Sequence, residues 1–139
     1  MGLVDAFGHL LTALPVFLAQ FGIALATLVV AVALVLRVTP ADELKLVRQG
    51  NLAAAVWAAG TVIAMAMPIS AALRFSHTTG EVAVWGALAA LIQIGTYFAA
   101  AALVGKTRQT LEAGELPSAL MVVGIQIGVA FVNAAALSA

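Results

Sequence analysis

The stretch "GNLAAAVWAAGTVIAMAMPISAAL", residues 50–73, carries no charge, and the apolar run after Asn51 ends only at Arg74. At 1.5 Å rise per residue, residues 52–73 would make a helix about 33 Å long, enough to cross a hydrocarbon core of about 30 Å. Three other stretches have the same character, about 16–36, 82–104 and 116–137. All twelve charged residues (Asp5, Arg37, Asp42, Glu43, Lys45, Arg48, Arg74, Glu81, Lys106, Arg108, Glu112 and Glu115) lie outside these four runs. Charge kept out of every long apolar run is the signature of an all-α integral membrane protein with four transmembrane helices.

Composition agrees. The 139 residues are 64% hydrophobic and 9% charged, with a mean hydropathy of +1.15. A soluble domain carries about a quarter charged residues, so the solvent for most of this chain is lipid. Six basic and six acidic residues balance, which gives no reason to expect nucleic acid as a partner. Without cysteine there is no disulfide, thiolate or iron–sulfur chemistry. The N-terminus has Asp5 and no Lys or Arg, unlike the basic start of a cleavable signal peptide, so the first run reads as a retained membrane helix.

Basic residues suggest an orientation. Arg37, Lys45 and Arg48 lie between the first and second spans, Lys106 and Arg108 between the third and fourth, and only Arg74 between the second and third. The positive-inside rule then places both basic connections in the cytoplasm and both termini outside. Trp85 and Phe75 would sit near the outer interface and Trp57 near the inner one, unless these rings pack between helices.

Displacing the chain by 64 residues lays residues 50–73 over "GELPSALMVVGIQIGVAFVNAAAL", residues 114–137, without a gap. Nine of 24 positions agree, among them Gly50/Gly114, Gly60/Gly124 and the shared Ala-Ala-Leu ending. The expectation is one membrane domain, residues 1–139, built as two tandem helical hairpins, about 14–75 and 80–139. A two-helix unit returns to the side it started from, so the copies form a parallel repeat related by a pseudo-twofold along the membrane normal.

The Gly-Asn opening, the Ala-rich helix with an internal glycine, the ending "MPISAAL" and the second copy together resemble the DUF350 family, also called UPF0719 or the YjfL-like inner-membrane proteins. The resemblance covers essentially the whole chain as two copies of a two-helix module. It implies a multi-pass protein of the bacterial inner membrane whose activity is not established. The second copy departs from the pattern, with Glu115 in place of Asn and Pro117 where the first has Ala53.

The connection "TPADELKLVRQGN" reads as a short amphipathic helix at the cytoplasmic interface. Thr39 with Asp42 three residues on and Pro40 just inside makes a capping-box-like start. Asp42 and Glu43 suit the positive end of the helix dipole, Lys45 and Arg48 the negative end. Leu44 and Val47 share a side. Gly50 is placed to end the helix in the left-handed region, and Asn51 to cap the next one. The alternative for Asn51 is a polar entrance or an ion held by its carbonyl. In "GKTRQTLEAGEL" a Thr starts the turn, Gly114 ends it, and Glu115 opens the fourth span by charge–dipole attraction.

Within the spans, Gln93, Thr96 and Tyr97 share a face of the third at i, i+3, i+4 spacing, and Gln126 and Asn133 share a face of the fourth. Gln93 and Gln126 are equally far from the outer ends of their spans, so they are expected to come within hydrogen-bonding reach, inside a protomer or across an interface. Interhelical hydrogen bonding is the ordinary role of such residues, and a polar permeation path the sharper one. Small-xxx-small steps at Gly60/Ala64 and Gly124/Gly128, with Gly86 and Gly95 on the third span, offer close helix packing. Pro68 is expected to kink the second span.

No catalytic, cofactor-binding or metal-binding residues emerge. His9 and His77 lack ligand spacing, and no nucleophile elbow, paired carboxylates or phosphate loop is present. No ionisable residue lies in a span, which argues against a proton-coupled pump. The reading is therefore a non-enzymatic, homo-oligomeric scaffold or accessory subunit whose cytoplasmic face, residues 39–49 with 106–115, docks a protein partner. The alternative is a small oligomeric channel or uncharged-solute pathway lined by Gln93, Thr96, Gln126 and Asn133. The two differ in whether the polar faces of the third and fourth spans meet each other or turn to a common axis.

Overall fold

The computed structural model describes residues 2–139, which form six helices and no strand. Four are long and apolar enough to cross a bilayer: α1 (Leu3–Val38), α3 (Leu52–Phe75), α4 (Thr79–Val104) and α6 (Leu116–Leu137). The other two, α2 (Glu43–Arg48) and α5 (Thr107–Glu112), occupy the basic connections. The bundle therefore has a connecting end, with α2 and α5, and a hairpin end, where residues 76–78 join α3 to α4.

Helix α1 is longer than the expected span. It begins at Leu3, where the Asp5 carboxylate accepts the Gly2 N–H at 3.2 Å, and continues through Pro15. It stops at Thr39 because the next residue is proline, whose ring pushes its predecessor out of the helical region; Thr39 has ψ 133°. Thr39 thus closes α1 and does not open α2. Its hydroxyl turns back onto the Val35 carbonyl at 2.6 Å, and the N-cap of α2 is Asp42, which accepts the Lys45 N–H at 3.1 Å.

Both connections end in the same local motif. Gly50 has φ 83° and Gly114 φ 69°, a region that costs most L-residues steric energy. After α2, Asn51 N–H bonds Leu46 C=O and Gly50 N–H bonds Val47 C=O. After α5, Glu115 N–H bonds Thr110 C=O and Gly114 N–H bonds Leu111 C=O. These paired bonds are Schellman closures, which satisfy helix-end carbonyls while reversing the chain. Asn51 caps α3 by accepting the Ala54 N–H at 3.0 Å, and its Nδ2 donates to Leu111 C=O at 2.6 Å. One side chain therefore caps a membrane helix and ties the two connections together. Glu115 stands at the N-cap of α6 without a side-chain capping bond.

Helices α3, α4 and α6 pack mutually, α3 and α6 most extensively, and α1 lies against α4 and α3. A pseudo-twofold would make α1 meet α6 as α3 meets α4, yet α1 and α6 barely touch. The difference comes from which faces hold small residues. Ala24 and Ala31 of α1 are buried, and a Cβ on Gly86 of α4 would lie 3.9 Å from the Thr27 methyl, so α1 docks there.

The small-residue steps are used unequally. A Cβ on Gly60 would fall within 3.0 Å of Val123 Cβ on α6 and closer still to its methyls, and Ala64 one turn on is fully buried. Lipid offers no hydrophobic force between helices, so this close approach is what dispersion contacts require. Gly95, Gly124 and Gly128 have no heavy atom within 4 Å of a Cβ position and face outward, so the packing role expected of them is not used inside the protomer. The match of Gly60 with Gly124 in sequence does not extend to their surroundings. Pro68 is buried within α3, which runs unbroken to Phe75.

Gly60→Ala should lower stability by about 1–3 kcal/mol through overpacking against Val123, and Val123→Ala in the same chain should recover part of the loss. Gly124→Ala should leave the thermal midpoint in detergent nearly unchanged. Equal effects at the two glycines would contradict the packing described.

Candidate functional site

Two buried polar clusters occupy the bundle. The first joins the three packed helices at mid-depth. Gln93 Nε2 on α4 donates to the Gln126 backbone carbonyl on α6 at 3.2 Å, and Gln93 Oε1 accepts from Asn133 Nδ2 at 3.3 Å. Asn133 Nδ2 also donates to Ala89 C=O at 3.2 Å, and Gln126 Nε2 to Thr61 Oγ1 on α3 at 3.2 Å. Gln93, Gln126 and Thr61 are fully buried and Asn133 is 7% exposed. Gln93 and Gln126 therefore meet within one protomer, through a side chain and a backbone carbonyl. Thr96 does not join them; it is half-exposed and its hydroxyl bonds back to Ile92 C=O at 2.8 Å. Thr61 is a member that the sequence reading did not single out, although it is a hydroxyl in an otherwise apolar run beside Gly60. Gln126 Oε1 is buried with no hydrogen-bond partner among the described residues.

The second cluster sits at the connecting end, around Tyr97 one face-turn below Gln93 on α4. The Tyr97 hydroxyl accepts Trp57 Nε1–H at 2.9 Å, lies 2.7 Å from Thr39 Oγ1, and is 3.2 Å from Glu43 Oε1. The Trp57 and Tyr97 rings meet edge to face at 6.2 Å. Trp57 is thus packed between helices, fully buried, while Trp85 and Phe75 are about half exposed. Glu43 is 2% exposed. It stands in the first turn of α2, where the sequence placed it as a dipole partner, and α2 turns it inward and Leu44 and Val47 outward. The direction in which so short a helix rolls depends on its Schellman closure and the Tyr97 hydroxyl, neither of which is visible in periodicity.

Hydrogen counting agrees with a proton held on Glu43. Four contacts need protons: Trp57–Tyr97, Tyr97–Glu43, Tyr97–Thr39 and Thr39–Val35 C=O. With Glu43 ionised there are three, from the indole, the phenol and the threonine hydroxyl, so one contact lacks a hydrogen. With Glu43 neutral its O–H donates to Tyr97, Tyr97 donates to Thr39, Thr39 donates to Val35, and all four are satisfied. Burial pushes the Glu43 carboxyl above its ordinary value, and the neighbouring Asp42 charge adds to this. Hydrogen bonds from the backbone, Tyr97 and Thr39 oppose it without cancelling it. The arrangement can take up and release one proton where α2 meets the bundle. Among the described residues no group of three metal-ligating side chains is present.

Four apolar helices closed around internal polar bonds define a multi-pass helical membrane protein. A family model described as Domain of Unknown Function (DUF350) matches residues 9–137, and the chain belongs to that family. It is similar to UPF0719 inner membrane protein YjfL of Escherichia coli (strain K12), 29% identical over 86 residues, which cover 62% of this chain and 65% of the relative. The protein of the same name from Escherichia coli O157:H7 matches to the same extent. The alignment thus spans just under two thirds of these relatives. No solved structure matches. With inner-membrane relatives and four apolar helices, this is a multi-pass inner-membrane protein.

Gln93→Leu removes two interhelical bonds and should cost about 1–3 kcal/mol. Gln126→Leu removes one bond together with an unpaired acceptor and should cost less than about 1 kcal/mol. Unfolding in mixed micelles ranks the two; the reverse order would contradict the network. For Glu43, the folded form holds its proton to higher pH than the unfolded form. Stability is then greatest below the ordinary glutamate value and falls as pH rises through the raised one. Glu43→Gln should abolish that fall and make the protein more stable than wild type at neutral pH. A pH profile unchanged by the substitution would show that Glu43 is not the group responsible.

Proposed function

We propose that this chain is a non-enzymatic, homo-oligomeric scaffold or accessory subunit of the bacterial inner membrane, with its connecting end in the cytoplasm and both termini outside. The observation that carries this reading is the fully buried Gln93 Nε2 to Gln126 C=O bond at 3.2 Å. Polar side chains directed at each other within a protomer are not available to line a shared axis, and the half-exposed Thr96 stands apart from them. Of the four residues the channel alternative takes as lining, Gln93, Gln126 and Asn133 are buried within the protomer.

The docking face is residues 39–49 with 106–115. Asp42, Lys45, Arg108 and Glu112 border one cleft there, and Arg108 Nε pairs with Glu112 Oε1 at 3.0 Å on the surface. Mixed charge around a cleft held by two Schellman closures and Asn51 suits a protein surface of mixed charge, recognised by complementarity more than by area. Five of the six basic residues fall on this end, which supports the orientation. We also read the chain as two tandem hairpins. Support comes from the sequence match and from the shared six-residue helix, positive-φ glycine and Schellman closure at each connection.

Solute and ion flux in proteoliposomes tests the reading. Wild-type protein should conduct no more than empty vesicles across salts and small uncharged solutes. Flux that is present in wild type and vanishes in both Gln93→Leu and Gln126→Leu would overturn the scaffold and restore the channel.

A further inference from the structure

Helices α1 and α4 run in the same direction, and two contacts set their register: Thr39 Oγ1 lies 2.7 Å from the Tyr97 hydroxyl, and Thr27 faces Gly86. Helix α4 starts at Thr79, so counting back the same length from Thr39 reaches Phe21. Residues 3–20 therefore extend about 27 Å past the hairpin end of the bundle, and residues 3–19 are exposed throughout. The whole of α1, 36 residues, is about 54 Å long, more than a bilayer core of about 30 Å accommodates at ordinary tilts. This arm is nonetheless apolar: Leu3 is 79% exposed and Phe7 60%.

Six of its large apolar residues share one stripe, while Val4, Leu11, Val16 and Leu18, also exposed, lie off it. Leu3, Phe7, Leu10, Leu14, Phe17 and Phe21 alternate in steps of four and three, the spacing of a coiled-coil seam. Continuing the series toward the connecting end gives Ala24, Leu28, Ala31 and Val35. Three of these are buried and Leu28 is half-buried in the core. One seam therefore runs the length of α1. Where α4 lies alongside, it alternates alanine with Leu28 and Val35 and is largely covered; beyond α4, it carries leucine and phenylalanine and is bare. Asp5, His9, Thr12 and Gln20, the polar residues of the arm, all fall off the seam.

We propose that the arm of α1 pairs in parallel with the arm of a second copy of this chain, through the seam at residues 3–21. Copies inserted in one orientation bring their arms out on the same face of the membrane, side by side and at the same height. Parallel in-register pairing is then the geometry available to them, at the high effective concentration that shared membrane anchoring provides. No charge sits on the seam to oppose pairing. The inference rests on the homo-oligomer of the proposed function and names its interface.

The chain has no cysteine, so single-cysteine variants of the full-length protein report cleanly in membranes. Under mild oxidation, Phe7→Cys, Leu10→Cys and Leu14→Cys should form disulfide dimers at least about tenfold faster than Asp5→Cys, His9→Cys and Thr12→Cys. Leu10→Asp with Leu14→Asp should abolish pairing while leaving the thermal midpoint of the bundle unchanged, since the arm contributes nothing to its core. Equal rates at seam and off-seam positions would overturn the proposal. So would quenching of a fluorophore on Leu10→Cys by brominated lipids, which would put the arm in the bilayer. Oligomers that an amine-reactive cross-linker captures without seam disulfides would sink this interface and leave the homo-oligomer standing. A monomer by every measure would remove both.

Discussion

An amide side chain inside a lipid-solvated bundle has no water to fall back on, and that constraint organises the centre of this protein. Gln93 is a donor to α6 through the Gln126 carbonyl and an acceptor from α6 through Asn133. Gln126 in turn reaches α3 at Thr61. Together these bonds fix the depth and rotation of three helices whose contacts are otherwise nondirectional. Interhelical bonds of this kind contribute only about 0.6–2 kcal/mol each, so their value lies in specifying one register among many that alanine-rich surfaces would accept. The approach of Gly60 to Val123 follows from that register, because a slide of one residue would bring a side chain into the gap.

The connecting end is governed by backbone closure. Two glycines at positive φ let α2 and α5 stop and reverse within a few residues, and Asn51 links the two turns through Leu111 C=O. This closure is what holds Glu43 under the end of the bundle against Tyr97. Burial pushes the carboxyl there above its ordinary value, and protonation removes the desolvation penalty an ionised group would carry. α2 is thus held by a hydrogen bond that depends on a proton.

Much of this was legible in advance, and for physical reasons. Charge segregation reported four spans because lipid excludes charge at every position, so the signal adds up over the whole chain. Gly50 and Asn51 were legible because their roles are local: a left-handed turn and a cap three residues away. The depth match of Gln93 and Gln126 followed from counting along helices. What stayed hidden is what depends on rotation about helix axes. Thr96 is one residue from Tyr97 and faces elsewhere; Gly124 copies Gly60 in sequence and ends on the outer surface. Thr39 looked like a cap for α2 because only the continuation of α1 up to Pro40 gives it a different task. The inward turn of Glu43 was hidden for the same reason, since a six-residue helix can roll either way and its sequence alone does not say which. Helix α1 begins before the apolar run of about 16–36, because a long apolar helix can carry one proline, here Pro15, within it.

The polar bonds of α3 and α4 are made largely to α6, which follows them in the chain. Thr61 and Gln93 therefore enter the membrane during synthesis before Gln126 and Asn133 exist. Until α6 arrives, Gln93 lacks its two side-chain bonds and Gly60 lies against lipid instead of Val123. The first three membrane helices form an intermediate with an open seam, whose exposed amide is attractive to any other polar membrane segment nearby. Arrival of α6 supplies those partners and closes the interior.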